Sequence, residues 1–126
     1  MVIIMDCLFC KIVKKEENAT ILYEDDIVMV IMDVYPNVDG HCLVIPKKHY
    51  TTFYDVPDDE LLHINKIAKK YSEILTKKLG KDSITLLVNW GEAQYIKHYH
   101  LHLLPNYGIE KEALHTKEEI AKILVD

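Results

Sequence analysis

The segment His98-Tyr99-His100-Leu101-His102-Leu103-Leu104 alternates polar and apolar residues with period two. Successive side chains of an extended strand point to opposite faces, so three imidazoles share one face while Tyr99, Leu101 and Leu103 share the other. Core burial accounts for the apolar half of the pattern but not for the histidines. Imidazole changes charge near neutral pH and can act as nucleophile, general acid or metal ligand. Two chemistries therefore fit the spacing: catalysis by a ring nitrogen as nucleophile or general acid, or a divalent ion held by two or three imidazoles. A solvent-facing strand without chemistry is the plain alternative.

Cys7-x-x-Cys10 is the second constellation. Its spacing suits metal binding or thiol redox chemistry, with two simply buried thiols as the third reading. A thioredoxin-like role also wants a βαβ setting, which this N-terminus lacks. Three cysteines make an odd number for a disulfide framework, so a reducing compartment, the cytoplasm, is expected, and Cys42 is left as a lone buried thiol.

The elements that must position these residues follow from periodicity and punctuation. A short helical turn through Ile12 and Val13 precedes a β-hairpin, with strands at Ala19 to Tyr23 and Ile27 to Met32 about a Glu24-Asp25-Asp26 turn. The turn Pro36-Asn37-Val38-Asp39-Gly40 leads into a β-prone run from His41 to Pro46, which the proline must end or leave at an edge. Asp58, Asp59 and Glu60 after Pro57 mark a helix start, and Lys77, Lys78 and Gly80 mark its end. Between them Leu61, Ile64, Ile67, Ala68, Tyr71, Ile74, Leu75 and Leu79 form a stripe at helical spacing that must pack on a sheet, with His63 beside it as a surface residue. Strands at Ser83 to Asn89 and His98 to Leu104 and a short helix over Thr116 to Leu124 complete an α+β domain.

At 126 residues the chain fits one domain, residues 1–126, with no repeat and no Pro/Gly/Ser-rich linker. No apolar run approaches the roughly 20 residues that span a bilayer. The opening MVIIMDCLFC lacks the basic start and small-residue cleavage site of a signal peptide. A net charge of −5 with scattered lysines argues against a nucleic-acid backbone as partner, because such binding relies on clustered Lys and Arg.

Four segments in order carry a resemblance: Cys7-Leu8-Phe9-Cys10-Lys11-Ile12-Val13, Tyr23-Glu24-Asp25-Asp26, Gly40-His41-Cys42-Leu43-Val44-Ile45-Pro46-Lys47-Lys48-His49, and His98 to Leu104 followed by Pro105. Together they make the chain similar to the histidine-triad family, in its Cys-x-x-Cys branch of purine-nucleotide phosphoramidases. The resemblance implies that His100 is the nucleophile at the α-phosphate and that His102 and His41 complete the catalytic cluster. It further implies that Asn89 contacts phosphate, that Gln94 touches the phosphate or the leaving group, and that Asp33 accepts from the ribose hydroxyls. Leu8, Phe9, Ile12, Ile27 and Ile31 would supply the apolar side of the nucleotide pocket, with core packing as the alternative for all five. Cys7, Cys10, His49 and His98 would complete a closed, structural zinc site of the Cys2His2 type. The chain departs from the family pattern at Ala93-Gln94-Tyr95, where glycine usually precedes the glutamine and serine or threonine follows it.

The expectation is thus a homodimeric α+β protein with an antiparallel sheet of about five strands, one long helix and a short C-terminal helix. Its implied reaction is cleavage of nucleoside 5′-phosphoramidates or related adenylated compounds through a nucleotidyl-His100 intermediate. The rivals are a dinucleoside polyphosphate hydrolase, which would release a nucleotide rather than an amine, and a non-catalytic nucleotide-binding or zinc-holding regulatory module.

Overall fold

Charged turns and alternating apolar runs divide the chain into five strands and three helices, seen in a computed structural model that describes residues 7–125. The first six residues of the MVIIMDCLFC segment lie outside the described residues. The elements are α1 (Leu8–Val13), β1 (Ile21–Glu24), β2 (Val28–Met32), β3 (Cys42–Pro46), α2 (Asp58–Leu79), β4 (Ile84–Leu87), β5 (Leu101–Pro105) and α3 (Lys117–Val125). The strands form one sheet in the order β1-β2-β3-β5-β4. Every neighbouring pair is antiparallel.

Strands β2 and β3 are buried at every position because both faces of the sheet centre are covered. On one face Val28, Val30, Cys42, Val44, Leu101 and Leu103 meet Ile64, Ala68, Tyr71 and Leu75 of α2 and Ile120 and Leu124 of α3. The stripe on α2 is therefore the wall of the main core, and each of its fully buried aliphatic side chains contributes about 1.5–3 kcal/mol. On the other face Met29, Ile31, Leu43 and Ile45 pack with Phe9 and Ile12 of α1. A six-residue helix is marginal by itself, so α1 depends on this packing and on its N-cap, where Cys7 Sγ accepts from the Cys10 amide at 3.4 Å.

The histidine segment becomes a paired strand only from Leu101, and the chain bends at His98. Continuing the register from Val44↔Leu101 would bring Pro46 opposite Tyr99, and Pro46 has no amide hydrogen to give. The Tyr99 amide donates instead to Tyr50 O at 2.6 Å. His63 is more than a surface residue. Its Nε2 lies 2.7 Å from Asp25 Oδ2, which also accepts from the Tyr23 hydroxyl at 2.8 Å, so α2 is tied to the β1–β2 turn.

Gly40 brings the chain into β3 with φ +87°, and a Cβ there would stand 2.6 Å from Leu79 Cδ1 and 3.0 Å from Pro105 Cγ. Gly40→Ala combines a left-handed backbone with overpacking, which together cost about 2–4 kcal/mol. Urea unfolding should show that loss, with β-strand entry to His41 as the element displaced.

Asp39 fixes the approach to α3: its Oδ1 accepts the Leu114 and His115 amides, and its Oδ2 lies 2.7 Å from His115 Nδ1. The hydrogen bond and charge of Asp39 raise the pKa of His115. In Asp39, the bonds from His115 and Leu114 outweigh burial and lower the pKa. A raised histidine contributes stability that is fully present below its unfolded value of 6.5 and lost as pH rises through the folded value. A lowered carboxylate contributes above 3.8 and loses that contribution on acidification. Melting temperature against pH should therefore fall between neutral and mildly alkaline pH in the wild type, and His115→Gln should flatten that part of the curve.

Candidate functional site

The cluster forms where α1 crosses the β2/β3/β5 face. Leu43 pairs with His102 in the sheet register, and Phe9 stacks edge-on against His100 with ring centroids 5.0 Å apart. These elements enclose a cleft of about 290 Å³. Its apolar wall is made by Leu8, Phe9, Ile12, Ile31, Leu43 and Ile96, and Asp33, Asn89, His100 and His102 supply its polar groups. Tyr35 and Tyr95 also line it, and their side chains are largely exposed at its mouth.

The hydrogen bonds determine which nitrogen of each imidazole carries a proton. A backbone amide can only donate, so His41 Nδ1, 3.1 Å from the Asn37 amide nitrogen, must accept. Neutral His41 then carries its proton on Nε2 and donates it to His102 Nδ1 at 2.9 Å. His102 in turn carries its proton on Nε2, an atom that is buried without a hydrogen-bond partner. That orphan donor is suited to an anionic oxygen in the cleft. His100 Nδ1 lies 2.7 Å from the His98 carbonyl and must donate to it, which leaves the lone pair on Nε2.

Burial keeps these rings neutral. It lowers the pKa of His41 and of His100 despite the opposing influence of Asp33. Burial, reinforced by the neighbouring His100 and His41, holds His102 at about 3. Asp33 Oδ2, 3.3 Å from His41 Nε2, thus meets a neutral ring in a polar contact rather than an ion pair. The other oxygen, Oδ1, accepts the Tyr35 amide at 2.9 Å. Asp33, His41 and His102 have the types and proximity of a metal site. The Asn37 amide argues otherwise, because a metal on His41 Nε2 would require an imidazolate.

The second cluster has the opposite character. The ligand atoms of Cys7, Cys10, His49 and His98 all lie within 4.8 Å of one another. His98 Nδ1 is 3.4 Å from Cys7 Sγ and 3.6 Å from Cys10 Sγ, and His49 Nδ1 is 3.2 Å from Cys10 Sγ. Tetrahedral zinc with ordinary Zn–S and Zn–N bonds separates sulfur from nitrogen by about 3.6 Å. His98 Nε2 donates to the Pro46 carbonyl at 2.8 Å, so Nδ1 presents a lone pair toward the thiols. Burial lowers His98 to about 4, and burial together with Cys7 pushes the Cys10 thiol up to about 12. A neutral imidazole and a thiolate that is costly without a cation are what a bound metal would use. This set can hold a metal ion.

Other expected positions differ. Ile27 does not line the cleft: it sits at the β1–β2 turn, four residues and about 13 Å of extended strand from Ile31, at the opposite end of β2. Gln94 is buried but turned away, its Nε2 donating to Thr51 O while its Oε1 has no partner. His41 acts on the cleft through His102 rather than lining it. Cys42 is fully buried, and its thiol is pushed up to about 12 by burial. Leu43 and Ile96 escaped the sequence reading, although the alternation in β3 would have placed Leu43 on the same face as His41 once the register was known.

Residues 14–109 match the HIT domain family. The chain is 45% identical over 110 residues to an uncharacterised HIT-like protein of Methanocaldococcus jannaschii, covering 86% of this chain and 84% of that one. It is 38% identical to an adenylylsulfatase of Arabidopsis thaliana, over 93% of this chain but only 59% of that longer protein. It is 34% identical to an adenosine 5′-monophosphoramidase of Schizosaccharomyces pombe, over 83% of this chain and 80% of the other. Among solved structures, a Zn-bound histidine triad family protein from Mycobacterium smegmatis superposes with a TM-score of 0.86 at 29% identity, covering 95% of this chain and 91% of that one. The five-stranded antiparallel sheet and its helices superpose on that neighbour, so this chain has the α+β fold of histidine-triad proteins. The chain belongs to the histidine-triad, or HIT, family.

Proposed function

We propose that this protein cleaves nucleoside 5′-phosphoramidates or related adenylated compounds at the α-phosphate through a nucleotidyl-His100 intermediate. One observation carries the reading: His100 Nε2 is left with a free lone pair beside the unpartnered Nε2–H of His102, at a cleft with an apolar wall. The lone pair attacks phosphorus, the bond to the leaving group breaks, and its electron pair departs with that group. A departing amine takes up a proton originating in water or the substrate. Water then attacks the phosphorus of nucleotidyl-His100, releases a proton to solvent and returns the lone pair to Nε2. His102 Nε2–H donates to a phosphate oxygen throughout, Asn89 supplies a neutral amide, Asp33 accepts from ribose hydroxyls, and Leu8, Phe9, Ile12 and Ile31 face the base.

In this reading zinc occupies Cys7, Cys10, His49 and His98 as a structural ion that joins the N-terminal arm to the active-site segment. The protein works as a homodimer in the cytoplasm. Support for a second copy comes from β4, an edge strand whose neighbourhood exposes Leu86, Val88, Trp90, Phe53 and Tyr54. Among the described residues no helix is long and apolar enough to cross a membrane. The thiol set is consistent with a reducing compartment.

Gln94 favours one second reading, a non-catalytic nucleotide-binding module, because an amide expected at the phosphate is engaged with Thr51. Intact-mass spectrometry during reaction with adenosine 5′-phosphoramidate, quenched near neutral pH, separates the two. The expected result is a wild-type species heavier by one adenylyl group, with release of AMP and ammonia. Binding without turnover would favour the module.

A further inference from the structure

The Cys-x-x-Cys loop also carries part of the nucleotide cleft. Phe9 lies between the two thiols in sequence, within α1, and is 3% exposed. Its ring meets His98 edge-on at 5.8 Å between centroids and His100 at 5.0 Å, and it lines the cleft with its neighbours Leu8 and Ile12. His98 belongs to both sites: its side chain faces the thiols, and its carbonyl accepts His100 Nδ1–H at 2.7 Å. Any movement of α1 thus changes the distance between the thiols and His98 and the shape of the cleft together.

We propose that Phe9 is a positioning residue that couples the Cys7/Cys10/His49/His98 set to the nucleotide cleft, so that metal and nucleotide each raise the other's affinity. The inference rests on the metal-binding and nucleotide-binding readings above and adds the linkage between them. A metal closing the four ligands holds α1 in place and presents Phe9, Leu8 and Ile12 as a preformed wall. A nucleotide packed against that wall holds α1 from the other side and so keeps Cys7 and Cys10 facing His98. Linkage requires the two effects to be equal, and coupling of this kind is typically between 5- and 150-fold.

The test measures binding only. Zinc affinity is determined by competition with a chromogenic chelator, with and without saturating AMP, and AMP affinity is determined with and without zinc. In the wild type each ligand should tighten the other on the order of tenfold. Phe9→Leu retains a buried apolar residue but removes the ring that bridges His98 and His100; it should still bind one zinc and bind AMP more weakly, with the coupling factor falling close to one. Circular dichroism of the metal-free proteins is the control: sheet and helices should be retained without zinc, and their loss would overturn a local coupling in favour of linkage through folding. Coupling of unchanged size in Phe9→Leu would overturn the role of Phe9, because linkage through global folding would survive that substitution. Equal AMP affinity with and without zinc in the wild type would overturn the coupling while leaving the proposed reaction intact. Failure of zinc-loaded protein to bind AMP, or of the protein to bind zinc, would overturn the inference together with the reading beneath it.

Discussion

His100→Ala should lower kcat/KM for an adenosine phosphoramidate by on the order of 10⁴-fold or more while leaving AMP affinity largely unchanged. The expectation follows from the division of labour in the cleft. The apolar wall and the Asp33, Asn89 and His102 groups remain, so ground-state binding persists. The lone pair fixed by the His98 carbonyl is gone, and no other nitrogen in the cluster can replace it. His102 Nε2 carries a proton because its Nδ1 is occupied by His41, and His41 is itself fixed by Asn37. The variant should also show no adenylyl adduct by intact mass. Turnover surviving in His100→Ala at a substantial fraction of the wild-type rate would remove His100 as nucleophile and direct attention to a metal-bound water.

The second large effect is on stability. Cys10→Ala should abolish stoichiometric zinc in metal analysis and lower the melting temperature by on the order of 15 °C, since a ligand at a thousandfold excess over its dissociation constant contributes about 4 kcal/mol and a domain of this size shifts by about 4 °C per kcal/mol. The site is disposed for this because its ligands come from three distant stretches of chain, Cys7/Cys10, His49 and His98, so one ion would hold the N-terminal arm, the segment after β3 and the start of the histidine strand together. Chelation of wild type should reproduce the shift, and readdition of zinc should reverse it. The comparison variant Cys42→Ala should retain its zinc, because Cys42 lies in the main core on the opposite face of the sheet. A Cys10→Ala protein that melts with wild type would show that the four side chains contribute no metal-linked stability.

How far the sequence disclosed these features depended on whether the information was local. Period-two alternation placed His98, His100 and His102 opposite Tyr99, Leu101 and Leu103, and those three apolar residues are in the main core. The acidic start and Gly80 end bounded α2 to within a residue, because helix termini carry their own chemistry. Whatever depended on register between strands was less legible. Ile27 has the same residue type as Ile31 but lies in the turn before β2, away from the cleft end of that strand, and residue type cannot distinguish the two ends. Leu43 and Ile96 reach the cleft only through tertiary folding. The orienting roles of the Asn37 amide and the Pro46 and His98 carbonyls belong to the backbone, which side-chain identity does not encode. Gln94 could be placed in the right loop but not oriented, since its engagement with Thr51 depends on the path of the 91–97 segment.

The chain of donors from Asn37 through His41 to His102 has a further consequence. Each ring in it holds one proton: that of His41 is given to His102, and that of His102 Nε2 is buried without a partner. Such an arrangement can polarise a phosphate and orient an attack, yet it has no net acid equivalent to surrender without creating an imidazolate. Departing groups that are stable as anions can leave such a cleft unaided. A basic amine must arrive already protonated or collect its proton from solvent, so among related substrates the acidity of the departing group, rather than its size, should order the rates of the first step.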